Sequence, residues 1–204
     1  MTGGMSTPPF VLVTGNRGKI AEARMIVGEE MEAVSVDLPE IQSLDLTAIL
    51  REKAAEAWRR IGRPLVIEDV SLELAAFNGF PGPLVKWMLE AMGAEAMARA
   101  AAALGDTRAT ARCGLFYQDA ERTLMVEGVA EGTLLAPGRG EHGFGWDPVF
   151  LPAESERTYA ELTGLDKLAI SHRGRAWRGL IERLGARPNG QTAISPPEGP
   201  LLFS

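Results

Sequence analysis

Apolar and polar positions fall into blocks along the chain, each with the period of one kind of element. Phe10-Val11-Leu12-Val13 is a continuous apolar run, the mark of a buried strand, and it opens into the polar turn Thr14-Gly15-Asn16-Arg17-Gly18-Lys19. Ile20, Ala23 and Val27 then share one helical face. Leu46, Ile49, Leu50, Ala54, Ala57, Trp58 and Ile61 repeat at helical spacing, with Asp45 placed to cap the helix. Leu65-Val66-Ile67 reads as a short buried strand that ends at Glu68-Asp69. After the turn Gly79-Phe80-Pro81-Gly82, the segment from Leu84 to Leu104 reads as mostly helical. Arg108 to Tyr117 and Thr123 to Leu135 are two long strands joined by the polar turn Gln118-Asp119-Ala120-Glu121, and Arg175 to Leu184 is a closing helix. The order predicts an α/β fold whose central sheet is mixed, because the 108 to 135 pair forms a hairpin, with helices flanking it.

The ends carry no such period. Residues 1–9 read as a flexible leader without the charged and apolar blocks of a secretory signal, and 187–204 as an irregular tail rich in Pro, Gly, Ser and Asn. That leaves 10–186 as a single domain. A chain of 204 residues with 46% hydrophobic residues can bury one sizeable core, and no run of about 18 apolar residues marks a membrane span. The net charge of -6 argues against a nucleic-acid partner, which asks for a basic face, but permits a small anion held by a few cations and a metal. Cys113 is the only cysteine, so no intrachain disulfide forms and a cytoplasmic location is expected. With His142 and His172 as the only histidines, a structural zinc site is not expected.

The turn at 14–19 sits where a phosphate cradle would, between strand and helix, but it is not a P-loop: Val13 and Ile20 occupy the places of the first Gly and the Ser or Thr. Gly138-x-Gly140-x-x-Gly143 matches a dinucleotide fingerprint in letters only, since Phe144-Gly145-Trp146-Asp147-Pro148 follows it and not a helix. Ser171-His172 adjacency is not a nucleophile and base, and no Gly-x-Ser-x-Gly elbow exists. What survives are polar residues at the ends of apolar runs: Thr14 to Lys19, Glu40, Glu68-Asp69, Phe144 to Asp147, Lys167 and Ser171-His172-Arg173. Acids and cations together at strand and loop ends suit a hard divalent cation and phosphate oxygens. Each has a plainer reading alone: Glu40 as a solvated loop acid, Glu68-Asp69 as a turn cap, Phe144 and Trp146 as core aromatics, and Lys167, His172 and Arg173 as a solvated helix start.

In order, Thr14-Gly15-Asn16-x-x-Lys19-x-x-Glu22, Asp37-Leu38-Pro39-Glu40, Glu68-Asp69, Gly79-x-Pro81-Gly82, Phe144-Gly145-Trp146-Asp147-Pro148-x-Phe150, Thr158-x-Ala160-Glu161 and Lys167 with Ser171-His172-Arg173-x-Arg175-Ala176 resemble the inosine triphosphate pyrophosphatase family. The resemblance implies an elongated two-lobed fold with a cleft between the lobes, a homodimer, dependence on Mg2+, and hydrolysis of ITP, dITP and XTP to monophosphate and pyrophosphate. It further implies that Thr14, Gly15, Asn16, Arg17, Gly18 and Lys19 cradle the triphosphate and that Glu40 and Asp69 hold Mg2+. Asp69 or Glu68 would orient or deprotonate the attacking water, with Lys19 stabilising the departing pyrophosphate. Phe144 and Trp146 would form the base pocket, Val70 and Gly145 would belong to the substrate-binding residues, and Asp147, Lys167, His172 and Arg173 would read the base edge or grip phosphate.

Base chemistry sharpens that last expectation. Inosine and xanthosine offer an oxygen at position 6 where adenosine has an amino group, so donors such as Arg173 and His172 there would oppose adenine. A donor at position 2, a backbone N–H or Lys167, would oppose guanine's amino group. The chain departs from the family pattern at Leu84, where Tyr is usual, and at Leu168, where Asn is usual; neither position touches the metal acids. The turn Pro81-Gly82 and the helix from Leu84 with Trp87 and Met88 are the expected dimer contacts. Two rivals stay open: a pyrophosphatase for another modified nucleotide, and a nucleotide-binding regulatory module without turnover.

Overall fold

The computed structural model describes residues 10–185, so the leader 1–9 and the tail 187–204 lie outside the described residues. Seven strands and five helices alternate: β1 (Val11–Val13), α1 (Arg17–Val27), β2 (Ala33–Val34), α2 (Leu46–Ile61), β3 (Leu65–Leu74), β4 (Pro81–Gly82), α3 (Val85–Ala103), β5 (Arg108–Gln118), β6 (Thr123–Leu134), β7 (Phe150–Pro152), α4 (Gly164–Ile170) and α5 (His172–Leu184). The sheet runs β2-β1-β3-β5-β6-β7, with β4 also on β3. β2, β1 and β3 are parallel and the rest antiparallel, so the sheet is mixed as expected.

β3 organises the molecule. It is ten residues long, not the short strand expected: Glu68 and Asp69 lie in its middle and end nothing. One edge is paired along its whole length with β5. On the other edge, β1 pairs with Leu65 to Ile67 and β4 with Leu72 and Glu73. Between these partners the edge is open at 68–71, and there the sheet forks. On one side of the fork, one cluster packs Phe10, Leu12 and Val66 against Trp177 and Leu180, and another packs Val11 and Ile67 against Leu50 and Ala54 of α2. On the other side, Leu72 and Leu74 pack with Val85, Met97 and Phe150. The expected cleft is thus the place where one strand changes neighbours.

Local chemistry fixes the helices that reach the fork. Asn16 caps α1, its side-chain oxygen accepting from the Lys19 N–H at 3.1 Å. Asp45 caps α2 as expected, accepting from Thr47 and Ala48 at 2.8 and 3.2 Å, and Gly62 ends it with a left-handed φ of 65°. Ser171 ends α4 and caps α5, so α5 begins at His172, three residues before the expected Arg175.

The remaining differences from the sequence reading are local. The helical stretch after Leu84 is broken at Gly93, whose φ of 77° lies outside helical space. Thr163-Gly164-Leu165-Asp166 caps and begins α4, with Thr163 accepting from the Asp166 N–H at 3.3 Å. Leu84 occupies the N-cap of α3 and makes no side-chain cap bond, and Leu168 is buried. The hairpin turn is closed by Asp119, which accepts from Glu121 and Arg122, both at 2.8 Å. No helix among the described residues is long and apolar enough to cross a membrane.

Candidate active site

A cavity of about 510 Å³ opens at the fork. Thr14, Gly15, Asn16 and Lys19 line one end, with Glu40 and Asp69 beside them. Val70, Phe144, Gly145 and Trp146 line the other end, with Asp147, His172 and Arg173 at its floor. Residues expected to act together from five separated stretches of sequence therefore share one wall. Four do not line it. Arg17 lies over a separate surface depression on α1, Gly18 sits under the Phe144 ring, and Glu68 and Lys167 lie behind the wall.

Adjacent strand residues point to opposite faces, and this divides the two acids of β3. Asp69 faces α2, where Lys53 donates to its Oδ2 and to Glu40 Oε2, each at 3.0 Å. Lys19 Nζ is 3.8 Å from Asp69 Oδ1 and donates to the Glu68 carbonyl at 3.2 Å, satisfying the open sheet edge. Burial raises the Asp69 carboxyl, but Lys19 and Lys53 together outweigh it and hold the group below its ordinary range. Lys53 is raised: burial lowers it, and Asp69 and Glu40 more than reverse that. Lys53 was missed in the sequence because it occupies the polar side of an amphipathic helix, where a solvated lysine is the default.

Glu68 points the other way. Its Oε1 accepts from Arg173 Nε at 2.9 Å and its Oε2 from Trp177 Nε1 at 3.0 Å. Behind it runs a buried ladder of alternating charge. Glu22 accepts from Arg173 Nη1 at 2.5 Å and from Lys167 Nζ at 2.7 Å, and Lys167 also donates to Asp147 Oδ2 at 2.6 Å. Burial raises Glu22, yet Arg173 and Lys167 bring it below its ordinary value, whereas burial outweighs Lys167 at Asp147 and leaves that carboxyl raised. Lys167, expected at the base edge, does not line the cavity; its ammonium donates to Glu22 and Asp147 behind the wall. Arg173 reaches the cavity with Nε and Nη1 already engaged. Glu22 belongs to the motif that begins at Thr14, and an acid three residues after Lys19 on a largely apolar helix was its only signal.

Asp147 also shapes the aromatic end. Its Oδ2 accepts from the Phe144 N–H at 2.8 Å, closing a loop in which Gly143 adopts a φ of 78° and has no room for a Cβ beside that carboxylate. The loop presents Phe144, 37% exposed, and buries Trp146. His172 lies between Trp146 and Tyr159, with ring centroids 6.2 and 5.9 Å away. Both of its ring nitrogens lack a partner among the described residues. Burial, followed by the charges of Arg173 and Lys167, holds the imidazole well below its usual pKa and therefore neutral.

The cavity wall carries Lys19, Lys53, Lys86 and Arg173 against Glu40, Asp69, Glu90 and Asp147, a balance of charge that by itself gives no net attraction for a polyanion. Glu40 and Asp69 converge on one ammonium, so their oxygens also suit a hard divalent cation. Among the described residues no cluster of three or more metal-ligating side chains occurs, so the pair would leave most of the shell to water and ligand oxygens, as Mg2+ prefers.

The family model described as the Ham1 family matches residues 10–183. An inosine triphosphate pyrophosphatase of Puccinia graminis is 34% identical, over 90% of this chain and 100% of its own, and one of Kluyveromyces lactis is 37% identical over 88% and 97%. Among solved structures, a HAM1 protein from Coxiella burnetii superposes with a TM-score of 0.74 at 28% identity, covering 90% of this chain and 100% of its own. A nucleoside-triphosphatase, dITP/XTP pyrophosphatase, from Mycobacterium abscessus gives 0.63 at 30% identity, over 84% and 98%.

Proposed function

The chain belongs to the Ham1 family, and from that premise we propose that it hydrolyses the non-standard purine nucleoside triphosphates ITP, dITP and XTP to the monophosphate and pyrophosphate. The observation that carries the reading is the single cleft in which the Lys19 and Asp69 end, fit for phosphates, faces the Phe144 and Trp146 end, fit for a base. The names of the relatives supply the base class.

In this reading the Thr14 to Lys19 turn receives the phosphates, with backbone N–H groups at the start of α1 and the Lys19 ammonium as the charges that meet them. Glu40 and Asp69 would hold Mg2+, which when bound supplies the positive charge that the balanced wall lacks. Asp69 stays ionised and orients the water that attacks the α-phosphorus; its depressed pKa makes it a better acceptor of a hydrogen bond than of a whole proton. Glu68 has both oxygens engaged and serves to hold Arg173 and, through its carbonyl, Lys19. Lys19 stabilises charge on the departing pyrophosphate. His172, neutral and unpartnered, offers one donor and one acceptor to the base edge.

Pyrophosphate release from ITP, XTP, GTP, ATP and dTTP tests the assignment. Preference for ITP and XTP supports it. Preference for dTTP or another base would overturn the purine reading, and tight binding of ITP without turnover would overturn the enzyme. A homodimer belongs to the same proposal: Phe80 and Trp87, 46% and 51% exposed, leave apolar surface beside the Pro81-Gly82 turn and α3. Light scattering is expected to give about twice the 21.9 kDa chain mass, and a monomer at micromolar protein refutes it.

A further inference from the structure

Gly18 stands in the first turn of α1 with ordinary helical backbone, where any L-residue fits and glycine is a weak helix former. Its reason for being glycine is therefore space. A Cβ at this position would lie 2.7 and 2.8 Å from Cε1 and Cδ1 of Phe144, closer than carbon atoms approach, and 3.3 Å from Asn16 Oδ1. The same ring stands 5.0 Å from Lys167 Nζ and 5.3 Å from Arg173 Cζ. The ring is thus held by the bare backbone of α1 and the two cations of the buried ladder, and it lines the cleft.

We propose that Gly18 is a positioning residue for base recognition, seating the Phe144 ring over Lys167 and Arg173 so that it meets the base of the nucleotide. The proposal rests on the nucleotide pyrophosphatase reading above. It gives the phosphate turn a second duty, since the segment that caps α1 and carries Lys19 also supports the aromatic wall of the cleft. A methyl group at 18 meets two neighbours of unequal freedom. Asn16 is fixed by its cap bond, whereas the half-exposed Phe144 ring can swing. The ring is the part that moves, off its two cations and into the space meant for the base.

A cycle of melting temperatures over Gly18→Ala, Phe144→Ala and the double variant reads the contact without needing activity. With the ring removed, alanine's better helix propensity is expected to raise the melting temperature by roughly 1 to 4 °C. With the ring present, that gain is expected to vanish or reverse. The same shift in both backgrounds overturns the proposal and points to the Asn16 contact. In turnover assays Gly18→Ala is expected to raise KM for ITP about 2- to 10-fold, the scale of an aromatic contact, with little change in kcat and a similar loss on ATP, since an aromatic face does not distinguish one purine from another. A fall in kcat at unchanged KM overturns it. Failure of the wild-type protein to turn over ITP refutes the activity reading instead, and the melting cycle still decides the contact.

Discussion

Lys53 and Arg173 are each gripped by two carboxylates, one at the mouth of the cleft and the other at its floor, and the surroundings set them apart. Of the partners of Lys53, Glu40 keeps a side chain 46% exposed, so water competes for that contact. Arg173, Glu22, Glu68 and Lys167 are all buried, with no solvent to relieve a missing partner. Charges at the mouth can exchange their partners for phosphate oxygens or a metal with little net change. Those behind it cannot be exchanged and act as scaffold. The contrast teaches that residue type alone does not separate ligand-binding charges from supporting ones; the cost of leaving a charge unpaired does.

Two matched carboxylate-to-amide changes break or sharpen that comparison, with the larger effect expected behind the wall. Glu22→Gln turns an amide donor toward Lys167 and Arg173 in a buried site, and a loss of about 3 kcal/mol in stability is expected, the low end for a broken buried pair because each cation retains another carboxylate. That is a drop of roughly 6 to 12 °C in melting temperature. Asp69→Asn is expected to lower kcat on ITP by about 10²-fold or more while changing stability by less than about 1 kcal/mol, since Lys53 keeps Glu40 and solvent. Denaturant titration and ITP turnover on both variants check the crossing. Equal stability losses would erase the distinction between mouth and scaffold, and near-normal turnover by Asp69→Asn would remove Asp69 from the reaction.

The same distinction explains what the sequence could show. α2 and the β5–β6 hairpin were legible because each carries a full period of apolar positions and a capping or turn-closing acid, Asp45 and Asp119. β2 and β7 are two and three residues long, too short to carry any period. β3 looked short because Glu68, Asp69, Ser71 and Glu73 interrupt its apolar run, and a strand that carries acids into a site resembles a strand that stops. At the mouth, Lys19, Glu40 and Asp69 were found from motifs at the ends of apolar runs, whereas Lys53 was not. The partnering of Glu22 with Lys167 and Arg173 was not, since those bonds span 145 and 151 residues and depend on α1 meeting both α4 and α5.

The smallest expected effect is a dependence on pH, and it belongs to His172. In the folded chain the imidazole is held neutral, first by burial and then by Arg173, Lys167, Lys19 and Arg175, while in the unfolded chain it takes a proton below its ordinary value of 6.5. A basic group whose folded pKa is depressed contributes stability that is complete above pH 6.5 and is lost as pH falls below it. The limiting slope for one proton is about 1.4 kcal/mol per pH unit. Other groups share the acid range with different signs. Glu22 and Asp69, both depressed, lose their contributions only below the ordinary carboxylate range, whereas Asp147, raised, gains stability as pH falls toward 3.8. A difference curve removes them: His172→Phe keeps an aromatic ring between Trp146 and Tyr159 but cannot titrate. Stability by denaturant titration at pH 7.5 to 5, measured for both proteins, should fall more steeply for the wild type once pH drops below about 6.5, by an amount approaching that slope. Parallel curves would mean that the folded chain protonates His172 as readily as the unfolded one, and the neutral ring offered to the base would have to be abandoned.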